Sequence, residues 1–352
     1  MPIGVRRIEP MKLLVLGGTR FLGRHLVDAA IRAGHNVTIF TRGVTPSPWG
    51  AKPVAHLVGD RDPRKGQGLA ALDTGEWDAA IDLSGYVPRC VEASAKGLAA
   101  RVAHYAFVSS MSVYADASRP DLDEATPVLT LDDPASEEIM AHYGALKARC
   151  EDEVRAAFGE RTLIVRPGLI VGPHDPSDRF GYWVARFLSP QLLGDRPPEA
   201  VVPAPASRPV QCIDARDLAN WVLAAVVART AGIFNACSAP RAWTMGTLVD
   251  TLVARSRAGA NPVAPRWIDE AKLIEQGVTP WTELPLWIPA ADPESGGFME
   301  FSCARAFAHG LTIRPLSETV HDTGAWLAAR DENSPWRNVL SADKERALLA
   351  LA

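Results

Sequence analysis

Between residues 12 and 110 the chain alternates short runs of β-forming residues with runs whose apolar residues recur at helical spacing, a pattern that favours a parallel sheet wrapped by helices. Strands are read at Lys12–Leu16, Val37–Thr41, Val54–Val58, Ala79–Leu83 and Tyr105–Ser109. The first, fourth and fifth are nearly continuous apolar runs, as strands buried on both faces should be. Between the first two, Phe21, Leu22, Leu26, Ala29 and Ala30 share one stripe of a helix over Phe21–Ala33, which Gly34 ends. A longer helix is predicted over about Ala135–Phe158, where Ile139, Tyr143, Leu146, Cys150 and Val154 follow at spacings of four, three, four and four. Thr162–Arg166 reads as a sixth strand.

After Pro167 the pattern loosens: prolines crowd 189–209 and tryptophans stand at 243, 267, 281 and 287. A chain of 352 residues exceeds what one core usually serves, since single cores stop growing near roughly 250–300 residues. The expected architecture is α/β, a Rossmann-type doubly wound parallel sheet with a smaller C-terminal substrate lobe. The dinucleotide-binding domain is placed at 11–167 and the lobe at 168–330, with some of its segments returning to the first domain. Residues 331–352 read as a peripheral helix or a frayed tail.

The sheet turns into its first helix through Leu14-Val-Leu-Gly-Gly-Thr-Arg-Phe-Leu-Gly23. Glycines at 17, 18 and 23 allow a tight turn and let a pyrophosphate approach bare backbone, where the helix N-terminus attracts it. An ordinary strand-to-helix turn is the alternative, and the flanking strand and helix argue against it. At the end of the second strand, where a carboxylate would hold a ribose 2′-hydroxyl, stand Thr41 and Arg42. Arg42, with Arg20, offers a 2′-phosphate planar forks of donors, which favours NADP over NAD. The competing reading of Arg42 is a solvated turn residue. Asp60 closes the third strand, either as an acceptor for the adenine amino group or as a plain turn aspartate.

Tyr143 and Lys147 lie four apart on a predicted helix and so share a face. An ammonium close to a phenol favours the phenolate, which lets tyrosine trade a proton with a substrate oxygen near neutral pH. Many helices carry such a pair with no chemical role. Its place after the fifth strand of a glycine-loop domain raises the weight of the chemical reading.

Taken in order, the glycine loop, Ile81-Asp-Leu-Ser-Gly-Tyr86, Phe107-Val-Ser-Ser-Met-Ser-Val-Tyr-Ala115, Tyr143-Gly-Ala-Leu-Lys147 and Val165-Arg-Pro-Gly-Leu-Ile-Val-Gly-Pro-His-Asp175 resemble the extended short-chain dehydrogenase/reductase family, the NAD-dependent epimerase/dehydratases. The resemblance spans about residues 12 to 238. It implies Tyr143 as proton donor and acceptor, Lys147 as its partner and as a holder of the nicotinamide ribose, and Ser110 as a hydrogen-bond donor to the reacting oxygen. Ser109 is the alternative one register away. It also implies a cofactor lined by Gly17, Gly18, Thr19, Arg20, Phe21, Leu22, Gly23, Arg42, Asp60, Leu83, Ser84 and Gly85, with Pro167 beside the nicotinamide. Dehydratases of the family place Asp-Glu after the catalytic hydroxyl residue. Met111 and Ser112 stand there, which disfavours a dehydratase. The Gly17-Gly-Thr-Arg-Phe21 form of the loop is similar to a divergent branch that includes chloroplast RNA-binding proteins. Dimerisation through the tyrosine-bearing helix and its neighbour is a further implication.

In the lobe the resemblance draws attention to Asp178, Arg179, Tyr182, Trp183, Arg186, Gln211 and Asp214, since arginine beside aromatics suits a nucleotide diphosphate. Phe180, Trp183, Val184 and Phe187 have helical spacing, however, which favours a helix packing an aromatic face inward. The Val278-Thr-Pro-Trp-Thr-Glu-Leu-Pro-Leu-Trp-Ile-Pro289 stretch has the composition of a lid or interface loop.

Charge and cysteine usage narrow the partners. A formal net charge of -4 gives no long-range positive field, so a small molecule is expected rather than a nucleic acid or an anionic membrane. Five scattered cysteines read as reduced core thiols, and no histidine or cysteine spacing prepares a metal site. Arg6 and Arg7 are not followed by an uninterrupted apolar run, and no stretch reaches the roughly 20 apolar residues of a membrane span, so the cytoplasm is the expected location. The expected function is an NAD(P)-dependent oxidoreductase or epimerase acting on a secondary alcohol or ketone, with sugar nucleotides among the candidates. The alternative is a non-catalytic NAD(P)-binding sensor or an RNA-associated protein.

Overall fold

A computed structural model describes residues 9–50, 52–256, 262–331 and 334–351; Arg6 and Arg7 lie outside them. Six strands, β1 (Lys12–Leu16), β2 (Asn36–Thr41), β3 (Val54–Val58), β4 (Trp77–Asp82), β5 (Val102–Val108) and β6 (Thr162–Pro167), join a seventh, Gly232–Ala236, in one sheet. The order is seventh–β6–β5–β4–β1–β2–β3. The pairs from β3 through β6 are all parallel, with Leu13 of β1 opposite Val37 on one side and Ala79 on the other. The chain winds outward from β1 to β3, then returns to β4 on the other side of β1. Such a reversal opens a crevice at the carboxyl ends of β1 and β4, where ligands of this fold bind.

Burial explains the strand patterns. Leu13, Leu14 and Val15 are wholly buried, as are Ala79, Ala80 and Ile81, whereas β3, at the edge, leaves Val58 56% exposed. Helices α1 (Phe21–Arg32), α2 (Pro88–Leu98) and α3 (Ile139–Phe158) follow β1, β4 and β5. Val91, Ala95 and Leu98 of α2 and Cys150, Val154 and Phe158 of α3 pack with Leu14, Leu16, Tyr105 and Phe107 of the sheet in one apolar cluster.

The long helix starts later than the sequence suggests. Asp133 accepts from the Ala135 amide at 2.9 Å and Ser136 from the Glu138 amide at 3.4 Å, so side chains hold the backbone in turns until Ile139. His142 then has non-helical angles (φ -127°, ψ 30°), and the regular helix runs from Tyr143 onward.

The chain divides into two compact units interleaved along the sequence. The first comprises 1–113, 128–166 and 219–234, and the second 114–127, 167–218 and 235–352. The second unit has its own core, in which helix α4 (Arg179–Leu188) buries Phe180, Tyr182, Trp183 and Phe187 together with Trp287, Leu284 and Leu286. Two parallel pairs, Glu199–Ala204 with Ala264–Asp269 and Leu169–Val171 with Cys212–Asp214, carry its backbone. The helix Ala342–Ala350 inserts Glu345, wholly buried, where it accepts from Arg186 at 2.9 Å, from Arg196 at 3.1 Å and from the Val201 amide at 3.2 Å.

Candidate functional site

The glycine loop leaves β1 at consecutive positive φ angles, +105° at Gly17 and +113° at Gly18, which only glycine adopts without strain. Gly23 is fixed by space instead: a Cβ there would lie 2.6 Å from the Gly18 Cα, so α1 packs directly on the loop. Thr19 and Phe21 are half-buried around this turn and Leu22 is buried beneath it. The N-terminus of α1 has no side-chain cap and no acidic residue in its first turn, leaving its amides for an anion. These features fit a dinucleotide pyrophosphate.

Arg42 is exposed just beyond β2, and the Arg20 Nε donates to Thr45 Oγ1 at 3.1 Å, which brings a second guanidinium to the turn that carries Arg42. Asp60 is half-buried and accepts from the Asp62 amide at 2.8 Å, so one of its oxygens serves its own turn. Leu83, Ser84 and Gly85 follow β4 against the loop: a Cβ on Gly17 would lie 3.6 Å from the Leu83 Cβ and 3.7 Å from that of Ser84.

Gly144 carries the alignment of α3. A Cβ at this position would fall 2.0 Å from the Ser112 carbonyl oxygen, so the helix docks bare backbone against the Ser110–Val113 turn. Tyr143 and Lys147 are thereby brought to the carboxyl end of β5. Tyr143 is 36% exposed, whereas Lys147 is buried and donates to the carbonyls of Gly85 at 2.8 Å and Val108 at 2.7 Å. Its ammonium also lies 4.2 Å from the Phe107 ring centroid and 5.3 Å from that of Tyr86. Burial lowers the Lys147 ammonium to about 8, against partial support from the charge of Asp82. Tyr86 in turn lies 6.4 Å, ring to ring, from Tyr143.

Ser110 Oγ is half-buried, accepts from the Ser112 amide at 3.1 Å and pairs with Ser112 Oγ at 3.1 Å. Ser109, the alternative, is buried. The Ser110 hydroxyl donates to Ser112 Oγ, whereas the Ser109 hydroxyl has no hydrogen-bond partner among the described residues. Pro167 closes β6, is buried, and groups with the second unit.

The candidates in the second unit make contacts within that unit. Asp178 accepts from Arg330 at 2.6 Å and from the Arg337 amide at 3.0 Å. Arg179 lies 5.3 Å from the Trp281 ring centroid. Tyr182, Trp183 and Arg186 are core residues, and the Trp183 indole donates to the Pro285 carbonyl at 2.7 Å. Gln211 bridges the Ser238 and Phe301 carbonyls, both at 2.8 Å, and Asp214 pairs with Arg216 at 2.7 Å and accepts from Thr319 at 2.9 Å. The 278–289 stretch is no exposed lid, since Trp287 within it is wholly buried.

Sequence reasoning missed three groups: Arg61 and Asp82, paired beneath the loop; Tyr86 beside Lys147; and Tyr105, whose hydroxyl donates to Asp82 at 2.9 Å. The signal for Asp82 was present, because a carboxylate ending a buried apolar strand requires a partner. Among the described residues no cluster of His, Cys, Asp or Glu suits a metal ion, and no helix is long and apolar enough to cross a membrane. All five cysteines are free and buried.

A doubly wound parallel sheet with an open glycine loop at its reversal defines a dinucleotide-binding protein of the Rossmann type. The chain belongs to the NAD dependent epimerase/dehydratase family, whose model matches residues 13–237. A curated relative, the chloroplast stem-loop binding protein of 41 kDa b of Arabidopsis thaliana, is 29% identical over 175 residues, covering 46% of this chain and 43% of that protein. The match therefore spans less than half the length of that relative.

Solved structures share the fold. Bordetella bronchiseptica WbmH, in complex with NAD+, is 15% identical with a TM-score of 0.65, covering 91% of this chain and 99% of its own. UDP-glucuronic acid 4-epimerase from Bacillus cereus, in complex with NAD, is 12% identical with a TM-score of 0.62, at 92% and 99% coverage. UDP-N-acetylglucosamine 4-epimerase from Methanobrevibacter ruminantium, in complex with UDP-N-acetylmuramic acid, is 16% identical with a TM-score of 0.63, at 91% and 99% coverage.

Proposed function

We propose that the protein is an NADP- or NAD-dependent oxidoreductase or epimerase acting on a secondary alcohol or ketone, with a sugar nucleotide as the favoured substrate class. The observation that carries this reading is the buried Lys147 ammonium one helical turn from Tyr143, on a helix docked through Gly144 onto the turn that bears Ser110. When bound, the cofactor supplies or accepts the hydride. Tyr143 exchanges the proton with the substrate oxygen, Ser110 donates a hydrogen bond to that oxygen, and Lys147 supplies positive charge that favours the phenolate. Gly17 to Gly23 hold the pyrophosphate with backbone amides, and Leu83 to Gly85 line the cofactor from the end of β4. Pro167 borders the nicotinamide. The UDP-sugar enzymes among the solved neighbours support the substrate class.

The direct test is mass spectrometry of the cofactor that copurifies. Retained NAD+ supports epimerisation, a site selective for NADPH supports a reductase, and failure to bind either cofactor refutes the proposal. Arg42 and Arg20 favour a 2′-phosphate, so Arg42→Asp is expected to weaken NADPH by about tenfold or more, the range of one charge-assisted fork, and to leave NADH nearly unchanged. Equal losses in fluorescence titrations with the two cofactors would refute the 2′-phosphate role.

Lys147 also sets an expected pH profile. Burial lowers it to about 8, so its charge is lost as pH rises through that value, and kcat/KM should bend downward above about pH 8. The stability effect has the opposite sign. The unfolded lysine stays protonated to about 10.4, so between the two values the unfolded chain binds more protons and this group favours folding increasingly as pH rises. Activity falling while denaturant unfolding shows no parallel loss would agree with this; a flat kcat/KM to pH 9.5 would not.

A further inference from the structure

We propose that Arg61 and Asp82 are positioning residues that fix the strip Leu83–Gly85, so that it both flanks the glycine loop and presents the Gly85 carbonyl to Lys147. Its consequence for catalysis rests on the Tyr143 and Lys147 reading above, whereas its geometry does not.

Arg61 stands just past β3 and Asp82 ends β4, wholly buried. The Arg61 fork grips both carboxylate oxygens of Asp82, while its Nη2 donates to Ser94 Oγ at 2.9 Å and its Nη1 to Ser84 Oγ at 3.3 Å. Asp82 also accepts from the Ser84 amide at 3.1 Å and the Tyr105 hydroxyl at 2.9 Å. Burial alone would raise the Asp82 carboxyl, but the Arg61 charge and hydrogen bonds hold it below the ordinary carboxylate value. The result is a fully bonded anion at the root of the strip.

From that root the strip is tied on two sides. The Leu83 amide donates to the Leu16 carbonyl at 3.1 Å and Ser84 Oγ to the same oxygen at 3.2 Å, one residue before Gly17. On the far side Gly85 has no spare room, since a Cβ there would lie 2.4 Å from the Phe107 ring. Its carbonyl is one of the two acceptors that Lys147 has in place of water. Facing that ammonium are Asp82 at the end of β4 and Arg61 just past β3, the Tyr86 and Phe107 rings, and Cys150 and Glu151 on its own helix, of which Glu151 is bound by Arg166 at 2.6 Å. A displaced Gly85 carbonyl would leave a buried charge with one acceptor fewer, and the ammonium would release its proton at lower pH.

The test uses the full-length, cofactor-free protein labelled with 13C at lysine Cε, the Lys147 resonance being assigned by its absence in Lys147→Met. The wild-type signal should titrate near pH 8. Two variants separate positioning from support. Arg61→Lys keeps the charge but loses the fork, and the combined Arg61→Met, Asp82→Leu, Tyr105→Phe replaces the buried polar group with apolar side chains, an exchange that folds often tolerate. Removing Arg61 and Asp82 together takes away opposite charges, whose direct effects on Lys147 oppose one another.

In both variants the titration is expected to move down by about one pH unit, the scale of one lost charge-assisted hydrogen bond, and NADPH affinity to fall by about tenfold. A folded variant whose titration stays within about 0.3 unit of wild type, with affinity within about twofold, overturns the proposal. So does unfolding of both variants, because a pair whose only effect is on folding is not a positioning device. A shifted titration in a protein whose Tyr143→Phe form still turns over removes the catalytic reading and leaves the positioning role standing. An unshifted titration beside an inactive Tyr143→Phe form does the reverse.

Discussion

Replacing Tyr143 with phenylalanine is expected to lower turnover by about 10²–10⁴-fold, the usual contribution of a positioned proton donor, while cofactor affinity stays close to wild type. The substitution removes one oxygen from a ring that is 36% exposed, so the fold around it should survive. Neither the Gly144 contact with the Ser112 carbonyl nor the Lys147 bonds to Gly85 and Val108 involve the phenol oxygen. The measurement is kcat and KM on an alcohol or ketone that the wild type turns over, beside a Kd for the nicotinamide cofactor. A loss confined to kcat identifies an interaction made in the transition state. An unchanged kcat would sink the proton-transfer role. The competing reading, a non-catalytic cofactor-binding or RNA-associated protein, expects tight cofactor binding, no oxidation of any alcohol, and RNA affinity that falls steeply with salt.

The sequence exposes what local patterns encode. Runs of β-forming residues located β1 and β3 to the residue and β2, β4, β5 and β6 to within three residues at either end, most plainly where burial on both faces leaves no polar position to blur the pattern, as at Leu13–Leu16. The seventh strand, Gly232–Ala236, was not read from the sequence. Tyr143 and Lys147 were legible because four residues of helix place them on one face, and Gly17 and Gly18 because tight turns select glycine. What stayed hidden depends on partners far apart in the chain. Arg61 and Asp82 are 21 residues apart and belong to different strands' ends, with no periodicity to link them. Arg186 looked like a nucleotide ligand because an arginine among aromatics has the right chemistry. Its true partner, Glu345, lies 159 residues away. The start of α3 was misplaced for a local reason, since Asp133 and Ser136 side chains compete with helix for the backbone amides.

Glu345 therefore supplies the largest expected effect on stability. It is wholly buried, and so is Arg186, whose Nε it accepts; Arg196 adds a second guanidinium that is almost as deep. The Arg186 Nη2 donates to the Pro197 and Glu199 carbonyls at 2.7 and 2.6 Å, so this guanidinium is held by backbone on one side and by Glu345 on the other. Glu345→Ala would leave two buried cations facing a cavity with no anion, a change that costs about 3–5 kcal/mol. For a unit of this size that corresponds to a fall in Tm on the order of 10 °C. The same substitution touches nothing in the first unit's glycine loop, so cofactor affinity below the transition should be retained. Calorimetry of wild type and variant decides the matter. A Tm within about 2 °C of wild type, less than 1 kcal/mol on this scale, would mean that the helix Ala342–Ala350 can leave its seat without cost, and that the terminal segment is peripheral after all.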